Sequence, residues 1–212
     1  MQCTKVIAEY LKTVFVEVLI APSYEREALL SLQSKSNMRV LESANLIDSS
    51  KQRYSFKPLS DGMLIQNANT HHLSENELKC VTQKSITGKM MPKLLFAWQA
   101  AKYAKSNAIV IAEANNNVMV TLGIGQGHVS RIDAVEFAIH KATKVHNRNK
   151  LQNAVAASDG FFPFRDSIDL LANAGIDMII QPGGSIHDDE VIAACNEYDI
   201  AMAFTGIRNF LH

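Results

Sequence analysis

The chain has 212 residues, of which 47% are hydrophobic and 20% charged, a composition that suits one large folded domain or two small ones and excludes a disordered chain. Lys and Arg number 21 and so do Asp and Glu, so the formal net charge is zero, and we expect neither nucleic acid nor an anionic membrane surface as a partner. The three cysteines are far apart and form no CxxC pair, which argues against a disulfide framework or a zinc site and suits the cytoplasm.

The first part of the chain alternates between helical and extended patterns. Apolar residues recur with helical spacing in two segments, and β-branched residues concentrate in two others. The patterns predict helices at 4–13 and 24–34 and strands at 14–20 and 38–41. Residues 46–87 are polar and rich in turn formers, with short strands expected near 53–56, 62–66 and 78–82, so we interpret them as a ribbon that connects two lobes.

The second part, residues 88–212, also alternates helices with strands, the order typical of a layered α/β structure. The predicted helices are 91–103, 129–145, 168–174 and 188–197. The predicted strands are 108–112, 118–122, 154–157, 177–180 and 200–204, of which the first two are candidates for a hairpin. No stretch approaches the roughly 20 apolar residues that cross a bilayer, and no signal peptide is evident.

A glycine-rich segment, residues 123–127, follows a predicted strand and precedes a helix. Exposed backbone N–H groups at such a place suit an anion. The segment lacks the spacing of a dinucleotide fingerprint and the Lys-Ser/Thr ending of a phosphate-binding loop. A tight turn without a ligand explains it equally well, so both interpretations stay open.

The segment Ser158 to Asp166 combines three phenylalanines with a proline, Asp159, Arg165 and Asp166. Rings beside charges suggest a pocket that stacks a flat ligand and binds its polar edge. The alternative is that the rings fill a core and that Arg165 and Asp166 pair at a helix start. The residues alone do not decide between the two.

Two further segments carry chemistry. The loop at 181–186 has glycines that allow a ligand to approach the backbone, and its Ser185 can either bind a ligand or cap the next helix. In the segment 205–212, Arg208 offers the forked donors that suit a phosphate, and His212 belongs to the residue type that ordinarily titrates near neutral pH. A frayed segment without a function is the alternative.

Taken in order, these segments resemble one half of a family of bifunctional purine biosynthesis enzymes, which join aminoimidazole carboxamide ribonucleotide (AICAR) transformylase to inosinate cyclohydrolase. The similarity is to the transformylase half, and it covers nearly the whole chain, through the segments 15–22, 94–110, 123–132, 158–166, 181–191 and 208–212. The resemblance implies three-layer, cytidine-deaminase-like α/β lobes without zinc. The first lobe would be partial, at 1–45, and the second complete, at 88–212. It also implies a homodimer.

The resemblance implies transfer of a formyl group from 10-formyltetrahydrofolate, as co-substrate, to the 5-amino group of AICAR. It assigns three residues to the nucleotide: Asn107, Phe161 and Arg208. It assigns four to the folate: Arg131, Asp166, Ser185 and Ile186. His212 and Asn107 would lie near the reacting atoms.

The resemblance also implies a catalytic Lys-His dipeptide upstream of the matched region, and no such dipeptide occurs among the 212 residues. Cys3 stands where the family has an active-site Asp, and Gln126 stands where it has Ala. We therefore expect an incomplete component whose missing lobe comes from another polypeptide. The alternatives are a cloned or proteolysed fragment, or an inactive paralogue that binds folate or nucleotide, or that only dimerises.

Overall fold

The computed structural model describes residues 2–44, 54–88, 90–115, 118–145 and 151–211. The chain divides into two compact units after Thr70. This division falls inside 46–87, the segment predicted to be a connecting ribbon. The prediction of a partial lobe, a ribbon and a complete lobe stays a prediction, and each unit is described by itself below.

In the first unit, two helices pack against each other beside a pair of parallel strands, and a separate hairpin follows. Its elements are α1 (Lys5–Thr13), β1 (Val18–Ala21), α2 (Arg26–Leu32), β2 (Arg39–Glu42), β3 (Tyr54–Leu59) and β4 (Gly62–Asn67). Small side chains allow the close packing of this unit, whose buried residues are Cys3, Ala8, Ala21, Ala28 and Leu32. The hairpin turns at Ser60 and Asp61, residue types that favour tight turns.

The second unit is built on a six-stranded sheet. Its strands are β5 (Lys79–Cys80), β6 (Ile109–Asn115), β7 (Val118–Gly125), β8 (Val155–Ser158), β9 (Met178–Gln181) and β10 (Ala201–Phe204). Their order across the sheet is β5-β10-β9-β8-β6-β7. The three central strands β10, β9 and β8 are parallel, whereas β5, β6 and β7 run antiparallel to their neighbours.

Helices cover both faces of this sheet. They are α3 (Met91–Lys102), α4 (Arg131–Val145), α5 (Asp166–Ala174) and α6 (Asp188–Glu197). Alternation along β6 shows the two faces: Ile109 and Ile111 pack into the core under α4, α5 and α6, while Val110 and Ala112 pack under α3. The unit is therefore a three-layer structure, and the prediction of an α/β fold with these helices and strands is confirmed. The helix and strand ends differ from those predicted by a few residues.

The glycine-rich segment divides into two parts: Gly127 lies in the loop after β7 with a φ of +69°, the left-handed conformation that a turn glycine supplies, whereas the first part fits neither interpretation. Gly123 and Gly125 lie in β7 rather than in a loop. A β-carbon on Gly123 would overlap the carbonyl oxygen of Ala138, and one on Gly125 would overlap that of Ala134. Both carbonyls belong to α4, so the glycines allow this helix to lie directly on the strand backbone. Their conformational role is close packing rather than a turn or an exposed anion cradle.

The thiols have different environments. Cys195 is fully buried in α6, and burial raises its pKa to about 12. Cys3 is also buried, and burial together with the charge of Glu25 raises its pKa. Cys80 is exposed on the edge strand β5.

Among the helices of the described residues, none combines the length and the apolar character that a membrane span requires.

Replacing Gly125 by alanine tests the close packing of α4 on β7. We expect Gly125→Ala to lower the free energy of unfolding by about 2 kcal/mol or more, because the added methyl group forces helix and strand apart. Urea denaturation measures the change. Gly88→Ala is the matched control, since no heavy atom lies within 4 Å of its added β-carbon. Equal effects of the two substitutions would contradict the packing role.

Thiol labelling tests the burial of the cysteines. At pH 8 we expect a disulfide reagent to modify Cys80 in the native protein within minutes and to leave Cys3 and Cys195 unmodified, because the thiolate is the reactive form and both buried thiols have raised pKa values. Mass spectrometry of the digest identifies the labelled residue. All three cysteines should react in urea. Rapid native labelling of Cys195 would contradict the buried position of this residue in α6.

Candidate functional site

The second unit has a pocket of about 360 Å3 at the end of its sheet where β7, β8 and β10 finish and β6 begins. Because β6 is antiparallel to both β7 and β8, the chain before β6 meets the chain that follows those two strands. The segment after β10 reaches the same place. The pocket is lined by Asn107, Val129, Ser130, Arg131, Phe161, Pro163 and Phe210.

A buried carboxylate anchors this pocket from below. Asp159 has no solvent exposure and follows β8 directly. Its Oδ1 accepts hydrogen bonds from the backbone N–H of Ala108 at 3.0 Å and from Arg131 Nη1 at 2.6 Å. Its Oδ2 accepts from the Ser106 hydroxyl. The buried negative charge is thus paired with a cation and held by two further donors, which a charge removed from water requires.

Arg131 connects Asp159 to Asn107 through hydrogen bonds. Arg131 begins α4, and its guanidinium also donates to Ser158 Oγ at 2.7 Å and to Asn107 Oδ1 at 3.0 Å. The amide nitrogen of Asn107 donates to the backbone carbonyls of His128 and Val129, at 3.1 and 3.2 Å. Both N–H groups of this amide are therefore used within the protein. The remaining lone pair of its oxygen is the group that can accept a hydrogen bond from a ligand.

An aromatic ring and a guanidinium stand together at the mouth of the pocket. Arg208 Cζ lies 5.0 Å from the centroid of the Phe161 ring. Arg208 is exposed, and a β-carbon placed on Gly184 would lie 3.8 Å from its Nη2. The stacked arginine is held in place by the ring while its donors face solvent, a suitable arrangement for an anionic group.

The segment that carries Arg208 is fastened to the pocket rather than frayed. Asn209 N donates to the Asp159 carbonyl at 2.9 Å. Leu211 pairs with Ser106 in both directions: Ser106 N donates to the Leu211 carbonyl at 2.9 Å, and Leu211 N donates to Ser106 Oγ at 3.2 Å. His212, predicted to lie near the reacting atoms, falls outside the described residues.

Of the predicted folate residues, Asp166 is the first residue of α5, and Ser185 and Ile186 lie in the loop before α6. Asp166 is exposed and its Oδ1 accepts from Ser167 N at 2.6 Å. Ser185 Oγ accepts from His187 N at 3.1 Å, and Ile186 is 94% exposed. The backbone N–H groups of Gly184 and Ser185 donate to the Asp188 carboxylate, so an internal anion already fills the start of α6. Phe164 contacts the His187 ring, with centroids 5.2 Å apart, and links the loops before α5 and α6.

The segment Ser158 to Asp166 is only partly a pocket wall. Phe162 is fully buried, and its N–H donates to Gln181 Oε1 at 3.1 Å. Arg165 pairs with Asp169 at 3.1 Å and with Glu197 at 2.8 Å instead of with Asp166. Its hydrogen bonds lower the pKa values of both carboxyl groups. Of the nine motif residues, all of them described, Phe161 and Pro163 line the pocket.

The sequence singled out Asn107, Arg131, Phe161 and Arg208, and the structure brings these four together. It adds residues that sequence reasoning did not assign to a site: Ser106, Val129, Ser130 and Phe210. Proximity in sequence to assigned residues was the available signal for these four. Asp159, one of the charges of the Ser158 to Asp166 motif, is fully buried and binds Arg131 instead of lining the pocket. Across the described ranges, no group of three or more His, Cys, Asp or Glu side chains is arranged to hold a metal ion.

Removing the buried carboxylate tests its structural weight. We expect Asp159→Ala to lower the free energy of unfolding by about 3–5 kcal/mol, because it leaves the Arg131 charge buried without its partner. Asp169→Ala is the matched control, since it removes a carboxylate from a half-buried pair in which Arg165 keeps its contact with Glu197, and it should cost about 1 kcal/mol or less. Urea denaturation compares them. Similar losses for both would contradict the assigned role of Asp159.

Comparison with known proteins shows the family to which the chain belongs. Residues 1–141 match the model of the family described as the AICARFT/IMPCHase bienzyme. A bifunctional purine biosynthesis protein PurH from Aquifex aeolicus is 47% identical over 205 residues, which make up 97% of this chain and 38% of that relative. Proteins of the same description from Xylella fastidiosa and Magnetococcus marinus are 48% identical over 200 residues and 43% over 212, covering 93% and 97% of this chain and 36% and 39% of the relatives. The chain thus spans well under half the length of these relatives, and it belongs to the AICARFT/IMPCHase bienzyme family.

Proposed function

We propose that the pocket of the second unit binds AICAR and that the chain takes part in purine biosynthesis, in the transfer of a formyl group from 10-formyltetrahydrofolate to the AICAR 5-amino group. The observation that carries the proposal is the Asn107 amide, fixed with its oxygen as the available group, beside Phe161 and the exposed Arg208. The resemblance of the ordered motifs to the transformylase half favours this activity over the cyclohydrolase activity of the same family.

The chemistry explains why such residues are needed. The 5-amino group is conjugated with its ring and carboxamide, so it is a weak nucleophile. Its nitrogen attacks the formyl carbon, the bond from that carbon to the folate nitrogen breaks, the amine loses a proton and the folate nitrogen gains one. Alignment of the two reactants and stabilisation of the negative charge on the formyl oxygen are the contributions that a protein can make to this reaction.

On the nucleotide side, each group has a part that its environment allows. Asn107 Oδ1 accepts a hydrogen bond from the amine and orients its lone pair toward the formyl carbon. Phe161 offers a face to the flat imidazole ring. Arg208 meets the phosphate with two parallel N–H donors.

On the folate side, we propose the exposed Ile186 and Phe164 as apolar surface for a flat ring, with Asp166 and Ser185 as polar contacts. Arg131 contributes a wall rather than free donors, because its Nη1 and Nη2 already bind Asp159, Ser158 and Asn107. His212 is proposed as a proton acceptor. A cytidine-deaminase-like architecture, a cytoplasmic homodimer and a second polypeptide that supplies the Lys-His pair belong to the same proposal.

A non-catalytic binding protein is the second candidate, and Cys3 favours it. The thiol of Cys3 is 3% exposed, and burial raises its pKa, so it stays neutral where the resemblance implies a carboxylate. Such a chain would still bind nucleotide in the second unit, without turnover.

Calorimetry with AICAR tests the nucleotide site. We expect Arg208→Ala to weaken binding about 10- to 100-fold, the loss of a hydrogen-bonded charge contact. Arg165→Ala is the matched control, because that guanidinium is engaged with Asp169 and Glu197 and should leave the affinity within about twofold. A chain that binds no AICAR at millimolar concentration would refute the nucleotide site.

Formyl transfer itself is tested by adding a polypeptide that carries the Lys-His segment of a relative. We expect conversion of AICAR to its formamide, with matching release of tetrahydrofolate, and about 10²-fold or greater loss of the rate in Asn107→Ala, since alignment of the amine is removed. Binding without turnover under these conditions would support the non-catalytic candidate instead.

A further inference from the structure

We propose that Ser106 and Asp159 are positioning residues that latch the segment 209–211 against the pocket. Phe210 lies in this segment, and Arg208 directly precedes it. The latch therefore holds both residues in a fixed position relative to the Asn107 amide. Its effect on ligand binding rests on the proposed nucleotide site. The latch itself is a property of the protein without ligand.

The direction of the hydrogen bonds through Ser106 fixes the latch. The Ser106 hydroxyl donates to Asp159 Oδ2, and a serine hydroxyl has one proton to donate. Its lone pairs therefore remain to accept from Leu211 N, which lies 3.2 Å from Ser106 Oγ. The carboxylate thus orients the hydroxyl, and the hydroxyl receives the segment.

Two backbone contacts complete the attachment. Ser106 N donates to the Leu211 carbonyl at 2.9 Å, and Asn209 N donates to the Asp159 carbonyl at 2.9 Å. With the hydrogen bond from Leu211 N to Ser106 Oγ, these make three hydrogen bonds that join the segment 209–211 to Ser106 or Asp159. Phe210, between the two attached residues, lines the pocket, and Arg208 directly precedes them.

The same carboxylate orders the opposite wall. Asp159 Oδ1 binds Arg131 Nη1 at 2.6 Å, and Arg131 Nη2 binds Asn107 Oδ1 at 3.0 Å. The segment 209–211, which follows Arg208, and the amide of Asn107 are therefore both held in place by one buried residue, Asp159. Neither Ser106 nor Asp159 is among the pocket-lining residues, so both act on a ligand through other groups.

Hydrogen exchange tests the latch without any ligand. In Ser106→Ala we expect the Leu211 amide to exchange about tenfold faster, the effect of one lost hydrogen bond. The amides of Ile179 and Ile180, in the central strand β9, should keep their rates. Thr143→Val is the control, because it removes a hydroxyl that binds the Ile139 carbonyl within α4. An unchanged Leu211 rate overturns the latch, and so does equal acceleration of the β9 amides, which would mean general destabilisation.

A second variant guards against a failure of Ser106→Ala to fold. Ser106→Cys keeps a single polar atom on the β-carbon but substitutes a larger thiol, which is a weak donor and a weak acceptor. We expect a smaller acceleration at Leu211, of about two- to fivefold. No acceleration in this variant would contradict the proposal.

A double-mutant cycle tests the consequence for binding. If the latch positions Arg208, Ser106→Ala already displaces the segment 209–211 and Arg208 with it. Adding Arg208→Ala to Ser106→Ala should then weaken AICAR binding by a further factor of about three or less. Independent, multiplying losses would overturn the positioning role. If the unmodified chain binds no AICAR, the nucleotide site fails, and the exchange rates still decide whether the latch exists.

Discussion

The ion pair between Arg131 and Asp159 is the interaction on which the pocket depends. Its side chains are 7% and 0% exposed, and a pair so far from water is tolerated when its remaining donors and acceptors are also satisfied. Here they are satisfied by the groups that shape the site: Ser106 and Ala108 on one side, Ser158 and Asn107 on the other. The need to compensate a buried charge thus fixes the positions of Arg131 and Asn107, which line the pocket.

Backbone packing decides where this pair can form. Gly123 and Gly125 let α4 lie directly on β7, and this brings Arg131, the first residue of the helix, over the end of β8. A β-carbon on Gly160 would lie 2.5 Å from Arg131 Nη2 and 2.7 Å from Phe210 Cε1, so the pocket floor is closely packed at this point as well. These glycines in strand and loop therefore shape the pocket without lining it.

Much of this could be predicted from the sequence. Regular alternation and helical spacing predicted the elements of the second unit, and the resemblance carried by the ordered motifs indicated Asn107, Phe161 and Arg208. The direction in which neighbouring side chains point was harder. Phe161 and Phe162 are adjacent, yet the first lines the pocket and the second is fully buried in the core of the second unit. Both follow β8 outside any helix or strand, so no periodicity in the sequence predicts which ring turns inward. Similarly, the inward position of Asp159 and the packing role of Gly125 depend on which helix crosses which strand.

A crystal structure of the chain with AICAR is the direct test of whether this pocket is the nucleotide site. We expect the imidazole ring to lie against Phe161, the phosphate to lie on Arg208, and the 5-amino nitrogen to lie about 3 Å from Asn107 Oδ1. The Asn107 nitrogen should still donate to the carbonyls of His128 and Val129. Nucleotide bound elsewhere, or bound here with its phosphate away from Arg208 and its amine away from Asn107, would contradict the account.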